Sequence, residues 1–177
     1  MRNAAQTMGY AGQVCSYLRM LCLGFIICLI ALAVQPSGAI AQDNHVNYTL
    51  TDLQGKDMSH MNFAGTSFAG ATMRTTNFEG SDLSGTILTK GDFVKANLKD
   101  ADLSEVFSDR ASFRDANLTN TLFVNAILTS SDFEGANVTG ADFSNAIIDR
   151  YQVSTMCETA DGTNPVTGMD TRESLGC

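Results

Sequence analysis

A large apolar residue recurs at every fifth position of this chain for a hundred residues, and no insertion breaks the register. The series runs Leu53, Met58, Phe63, Phe68, Met73, Phe78, Leu83, Leu88, Phe93, Leu98 and Leu103. It skips at Ser108 and resumes with Phe113, Leu118, Phe123, Leu128, Phe133, Val138, Phe143 and Ile148. Nineteen of the twenty positions are apolar. Against an apolar background of about 0.45, such a run arises by chance roughly a few times in a million per register. A period of five matches neither the 3.6 of a helix nor the 2 of a strand. The chain must therefore be read as a repeat before it is read as helices and strands.

Let the apolar position be i. Two residues earlier the side chain is small or short in most units: Ala at 71, 96, 101, 111, 116, 126, 136, 141 and 146, Ser or Thr at 51, 66, 76, 81, 86, 121 and 131, and Gly91. Position i−1 is mostly Asp, Asn, Ser or Thr, and seven of the twenty i+2 positions are Gly. Residues i−2 and i share one face of a short extended segment, so both point inward. The rest must turn a corner and meet water, and glycine at i+2 suits a turn with unusual backbone angles. One large and one small residue per side stack into ladders along an axis, which describes a solenoid. Val46-Asn47-Tyr48 fits as a degenerate leading unit.

The units ANLKD, ADLSE, ANLTN and ADFSN resemble the A-(D/N)-L-x-x motif of pentapeptide-repeat proteins, over residues 46–150. That resemblance implies an all-β solenoid, a right-handed quadrilateral β-helix with four repeats per turn. Twenty units then make about five coils. With coils spaced like neighbouring strands, about 4.8 Å apart, the rod is about 24 Å long.

Four sides per turn place residues twenty apart above one another. The outward i−1 position has five large apolar exceptions, Ile87, Phe107, Leu122, Ile127 and Ile147. Four of these, Ile87, Phe107, Ile127 and Ile147, are spaced by twenty and form one outward column. Phe107 belongs to that column, Ser108 takes the inward place, and Val106 fills part of the space beside it. An outward apolar ladder needs a cover. The cover is the protein's own tail or a docked partner or membrane; the remaining reading gives the column no role, since β-branched residues suit a pleated surface.

Open coil ends expose backbone edges, so solenoids need caps. QDNHVNYTL alternates Val46, Tyr48 and Leu50 and suits a strand laid over the first coil. Lys56, at an inward i−2 position, is tolerable only near that end, where its amine reaches water. DRYQVSTMCETA reads as a short helix with Asp149 as N-cap, DGTNPVTG as a turn, and DTRESLGC as one more helical turn.

Ahead of the repeat, Leu21–Val34 is an unbroken apolar block of fourteen, preceded by Arg19 and followed by Ala39-Ile40-Ala41. Fourteen residues rise about 21 Å as a helix, short of a bilayer core of about 30 Å. The stretch therefore reads as a Sec-type signal peptide cleaved after Ala41, with a membrane anchor as the alternative. Residues 1–41 hold two Arg and no acid, so residues 42–177 carry nine basic and nineteen acidic residues, a net charge of −10. Three of the five cysteines lie in 1–41. The remaining two, Cys157 and Cys177, suggest a disulfide in an exported chain, with two free thiols as the alternative. The tail MCETADGTNPVTGMDTRESLGC is similar to the ends of pentapeptide-repeat proteins of the cyanobacterial and chloroplast thylakoid lumen. This implies a helical cap held by Cys157–Cys177, and a location in the thylakoid lumen, with periplasm as the other compartment that a Sec-type peptide serves. The expected organisation is a signal peptide (1–41), an N-terminal cap strand (42–50), a β-helix (51–150) and a C-terminal helical cap (151–177).

No catalytic constellation is found: no phosphate loop, nucleophile elbow or HExxH. His45 and His60 lack a spaced second ligand and read as surface residues, not a metal site. Asp52, Asp57, Asp82, Asp92, Asp102, Asp132 and Asp142 look like a carboxylate array. All occupy i−1, where the repeat itself calls for a short polar residue at a bend. No enzyme activity and no cofactor are expected. The first functional class is a structural or binding module for a protein partner, with no nucleic acid bound and no membrane contact after cleavage. The second comes from the family resemblance: some members imitate duplex DNA and bind topoisomerases. The net charge permits that, but export and the basic residues Lys90, Lys95, Lys99, Arg110 and Arg114 speak against it.

Overall fold

The computed structural model describes residues 46–177. The signal peptide with its cleavage after Ala41, His45, and the first residues of the expected cap strand lie outside them. From Asp52 to Ile147 the chain makes sixteen isolated parallel bridges, and each joins residues twenty apart. All bridged residues sit at i−1. They form four columns of five, which begin at Asp52, Asp57, Asn62 and Ser67 and are called faces 1 to 4 below.

The five-residue unit works because almost every backbone N–H in it finds an acceptor. The N–H of i donates up to the next coil, as Leu53 does to Thr72 C=O (2.8 Å), and that of i−1 donates down, as Thr72 does to Thr51 C=O (3.0 Å). The N–H of i+2 donates up again, as Gly55 does to Arg74 C=O (3.0 Å). The N–H of the next unit's i−2 closes a turn onto the carbonyl of i, as Lys56 does to Leu53 (3.1 Å). The fifth N–H, at i+1, points at no carbonyl. The side chain at i−1 takes it: Gln54 N–H donates to Asp52 Oδ1 (3.0 Å), Ala64 to Asn62 (2.9 Å) and Ser144 to Asp142 (2.8 Å). Buried backbone groups are nearly always paired, and here a side chain completes the set.

Each corner residue at i+2, from Leu50 to Asn145, has positive φ. Glycine occupies seven of the corners between Gly55 and Gly140; elsewhere Lys90, Lys95, Glu105, Arg110 and others take φ of 58° to 59°. The left-handed region costs a non-glycine residue about 1–2 kcal/mol. These residues bear it because their N–H is fixed to the coil above.

Inside, every i residue from Leu53 to Phe143 is buried, Ser108 included. Rings stack up the tube: Phe93 on Phe113 (4.9 Å), Phe113 on Phe133 (5.1 Å), Phe123 on Phe143 (5.1 Å). Tyr48 lies flat on Phe68 at 4.9 Å, so the leading unit occupies its inward place. The buried hydroxyls at i−2 donate to turn carbonyls, as Thr76 does to Leu53 (2.7 Å) and Thr86 to Leu83 (2.7 Å). The Ser108 hydroxyl, at position i, is buried without a partner, as is that of Thr171 in the tail. Val106 is buried beside it and Phe107 points outward.

At the far end α1 (Arg150–Cys157) and α2 (Thr171–Leu175) close the tube. Asp149 occupies the N-cap place of α1, but its side chain accepts from Ser130 N–H (2.7 Å) rather than from its own helix. The tail supplies acceptors to the last coil: Gln152 Oε1 to Phe133 N–H (3.0 Å), Asp161 C=O to Gly140 N–H (2.8 Å), Ser174 Oγ to Phe143 N–H (3.0 Å). Asn164 is buried and its amide donates to the Gly140 and Asn120 carbonyls (2.8 and 3.1 Å). Cys157 and Cys177 form a disulfide with Cα atoms 5.8 Å apart.

Phe133→Asp is expected to abolish folding, because it places an unpaired carboxylate against the stacked Phe113 ring and the edge-on Phe123 and Phe143 rings; circular dichroism showing wild-type melting would refute the inward placement. Reduction of Cys157–Cys177 removes a crosslink worth about 3 kcal/mol in the chain-entropy model. A melting temperature lower by on the order of 5–10 °C is expected, and an unchanged one would show that the cap is held by packing alone.

Candidate functional surface

The four faces differ in what their outward columns carry. Face 2 holds Asp57, Asn77, Asn97, Asn117 and Asn137, and its amides form a ladder: Asn77 donates to Asp57 (3.1 Å), Asn97 to Asn77 (2.9 Å), Asn117 to Asn97 (2.9 Å). Beside it, Asp100 accepts from Asn120 (2.8 Å) and pairs with Lys99 (3.2 Å). The Asn120 amide, then Lys99, holds the Asp100 carboxyl below its ordinary 3.8. The Ser59 hydroxyl and N–H do the same for Asp57. A depressed carboxylate stabilises the fold above its unfolded pKa and loses that effect as pH falls through the folded value. Face 1 carries exposed ion pairs across coils, Arg74–Asp92 (2.9 Å) and Arg114–Asp132 (3.2 Å). Such surface pairs contribute about 0–1 kcal/mol each.

The carboxylates of the apparent array are spent on the fold. Asp52, Asp57, Asp82, Asp92, Asp102, Asp132 and Asp142 each accept the N–H of their own i+1 residue. His60 sits at a corner with φ of 55°. Among the described residues no group of three His, Cys, Asp or Glu is placed to hold a metal ion, and none of their helices is long and apolar enough to cross a membrane.

Face 4 is different. Bridges run Ile87 to Phe107, Phe107 to Ile127 and Ile127 to Ile147, so the four apolar residues form one unbroken ladder. Ile87, Phe107 and Ile147 are 45%, 46% and 57% exposed, and Ile127 between them is half-buried. Leu122, the fifth apolar exception, stands alone on face 3 between Asp102 and Asp142. The C-terminal segment meets the tube at its end, on Phe133, Gly140 and Phe143.

The ladder has a cost that sequence patterning did not show. An apolar i−1 residue cannot accept a hydrogen bond. Among the described residues, the N–H groups of Thr89, Asp109 and Thr129, which the i−1 side chain would cap, have no acceptor. Each rung therefore forgoes a bond of about 0.5–1.5 kcal/mol and presents hydrocarbon to water. Along the adjoining corner stand Lys90, Arg110 and Arg150; of these, Arg110 pairs with Asp109 (2.7 Å).

The family model for pentapeptide repeats matches residues 51–80, 75–105 and 109–147, in eight copies. The chain belongs to the pentapeptide repeat family. Members of this family fold as right-handed quadrilateral β-helices, and this pentapeptide repeat protein shares that fold. It is similar to the crystal structure of a pentapeptide repeat protein from the Arabidopsis thaliana thylakoid lumen, with 36% identity and a TM-score of 0.56 over 71% of this chain and 88% of that one. It is also 58% identical over 31 residues to the thylakoid lumenal protein TL20.3, chloroplastic, of Arabidopsis thaliana, which is 18% of this chain and 11% of the relative's length.

Ile127→Asn restores an acceptor to the i−1 position of face 4. The variant is expected to melt at or above the wild-type temperature, with a gain of about 0.5–1.5 kcal/mol. A loss of more than about 1 kcal/mol in denaturant titration would show instead that Ile127 is part of the core.

Proposed function

We propose that this protein is a non-enzymatic interaction module of the thylakoid lumen, or of a periplasm, exported by a Sec-type signal peptide cleaved after Ala41. In this reading it is a five-coil tube closed by a helical cap, and it offers the apolar ladder of face 4 to a protein partner. The observation that carries the reading is the ladder itself: three rungs about half exposed, kept at the expense of the bend bonds that Asp or Asn would make at the same positions. The lumenal relatives support the compartment. The net charge of −10 on residues 42–177 disfavours adsorption on an anionic membrane, which leaves protein as the occupant.

The alternative, a DNA-mimicking inhibitor of a topoisomerase, draws on the same net charge. Against it, Arg74, Lys99 and Arg114 pair with acids and interrupt the acidic surface. Supercoiling assays with a topoisomerase separate the two readings, since only a mimic inhibits.

The test is crosslinking capture from a lumen extract with wild type and with Phe107→Asn/Ile127→Asn, which keeps the backbone pattern intact. Selective loss of one crosslinked protein, at a melting temperature no lower than that of wild type, is expected. An identical set of captured proteins would remove the ladder as the docking face. Sequencing of the mature N-terminus is expected to begin at Gln42.

A further inference from the structure

The cap leaves part of the last coil unpaired. Within the tube, each coil offers the next a fixed set of groups at the corner between faces 1 and 2. Asp115 N–H donates to Glu134 C=O (3.0 Å), Ala116 C=O accepts from Asn137 N–H (3.0 Å), and Leu118 N–H donates to Asn137 C=O (2.8 Å). One coil higher the corresponding groups are Gly135 N–H, Ala136 C=O and Val138 N–H. None of them bonds to another described residue. The residues in register above Glu134 and Asn137 are Ser154 and Cys157, and both lie in α1. Their peptide groups belong to the helix, so α1 covers this corner without pairing with it. The tail resumes bonding at Gly140.

A cleft of about 340 Å³ stands over that stretch. Its floor is the edge from Phe133 to Asn137, and its wall is the end of α1 with Thr155, Met156, Glu158 and Thr159. Gly135 and Ala136, which carry an unpaired donor and then an unpaired acceptor, line this space, whereas Val138 is buried and lies outside the lining. We propose that this cleft binds a short extended peptide segment of a partner, which adds one rung to the tube by strand augmentation. The segment supplies a carbonyl to Gly135 N–H. Three residues on, an N–H of the segment pairs with Ala136 C=O, as Asn137 N–H does with Ala116 C=O in the coil below. Glu158 is the sole charged residue in the lining, so a segment with Lys or Arg is preferred to an acidic one. The site is separate from the face 4 ladder and does not rest on its function.

The experiment titrates the ¹⁵N-labelled full chain with acetyl-Ala-Lys-Val-Thr-amide. Saturable shifts and slowed hydrogen exchange are expected at the Gly135 amide. Methylation of the threonine N–H, which removes the donor for Ala136 C=O, should weaken binding on the order of tenfold or more. Thr159→Trp, an exposed position that fills the cleft from the helix side, should abolish the shifts at unchanged melting temperature. If that variant is destabilised, the methylated peptide on wild type decides alone. Glu158→Gln should erase the preference over acetyl-Ala-Glu-Val-Thr-amide. No saturable shift at millimolar peptide would overturn the proposal. So would equal affinity of the methylated peptide, or shifts confined to Asn145 and Ile148, the other unpaired stretch of this edge.

Discussion

The structure depends on one constraint: a backbone that turns every five residues must still pair its polar groups. Four of the five N–H groups in a unit are served by carbonyls nineteen or twenty-one residues away, or across a turn. The fifth is served by the side chain at i−1. Apolar burial at i supplies the driving force, but any compact fold offers that. The register of twenty is selected because it pairs the peptide groups and aligns the ladders together. A slip by one unit would keep the side chains inward while putting Ser108, Gly91 and Val106 against the wrong neighbours.

This explains how much of the fold was legible in the sequence. The inward ladders were, because burial acts on each side chain separately and leaves a period of five that nothing else produces. The outward place of Phe107 was legible for the same reason: Ile87, Ile127 and Ile147 stand twenty residues from it or its neighbours in the column. The corners were legible only in part. Glycine marks seven of them, yet Lys90, Glu105 and Arg110 adopt the same positive φ. Their conformation is imposed by the bond to the coil above, a tertiary effect with no signature in residue type. The Ser and Thr at i−2 could be read as small but not as donors to turn carbonyls, since that role appears only when the turn is built.

The candidate sites were less legible than the fold. Face 4 could be found from spacing, but its energetic meaning comes from what Asp and Asn do on the other faces. Once those side chains are seen to cap a backbone N–H, an isoleucine in their place is a departure with a definite cost. The asparagines of face 2 show the opposite case, where the side chain both caps the bend and bonds to its neighbours along the column. A pattern of polar residues at i−1 is therefore a statement about the fold, and only the exceptions carry information about the surface.

The two described ends of the tube solve the edge problem differently. At the first coil, Lys56 and Met61 occupy inward i−2 positions and are exposed. A second tube stacked there would bury the Lys56 ammonium in a ladder of small residues, which is unfavourable without a counter-charge. At the last coil, two helices and a disulfide cover the core, with Met156 and Leu175 buried against it. A helix can seal hydrocarbon, but its own peptide groups are already paired and cannot extend a β-ladder. Only side chains such as Gln152 and Ser174, or the carbonyl of Asp161 beyond α1, reach the edge. Sealing a β-edge with a helix therefore leaves some edge groups unpaired wherever no such reach is available, and 135–138 is such a stretch.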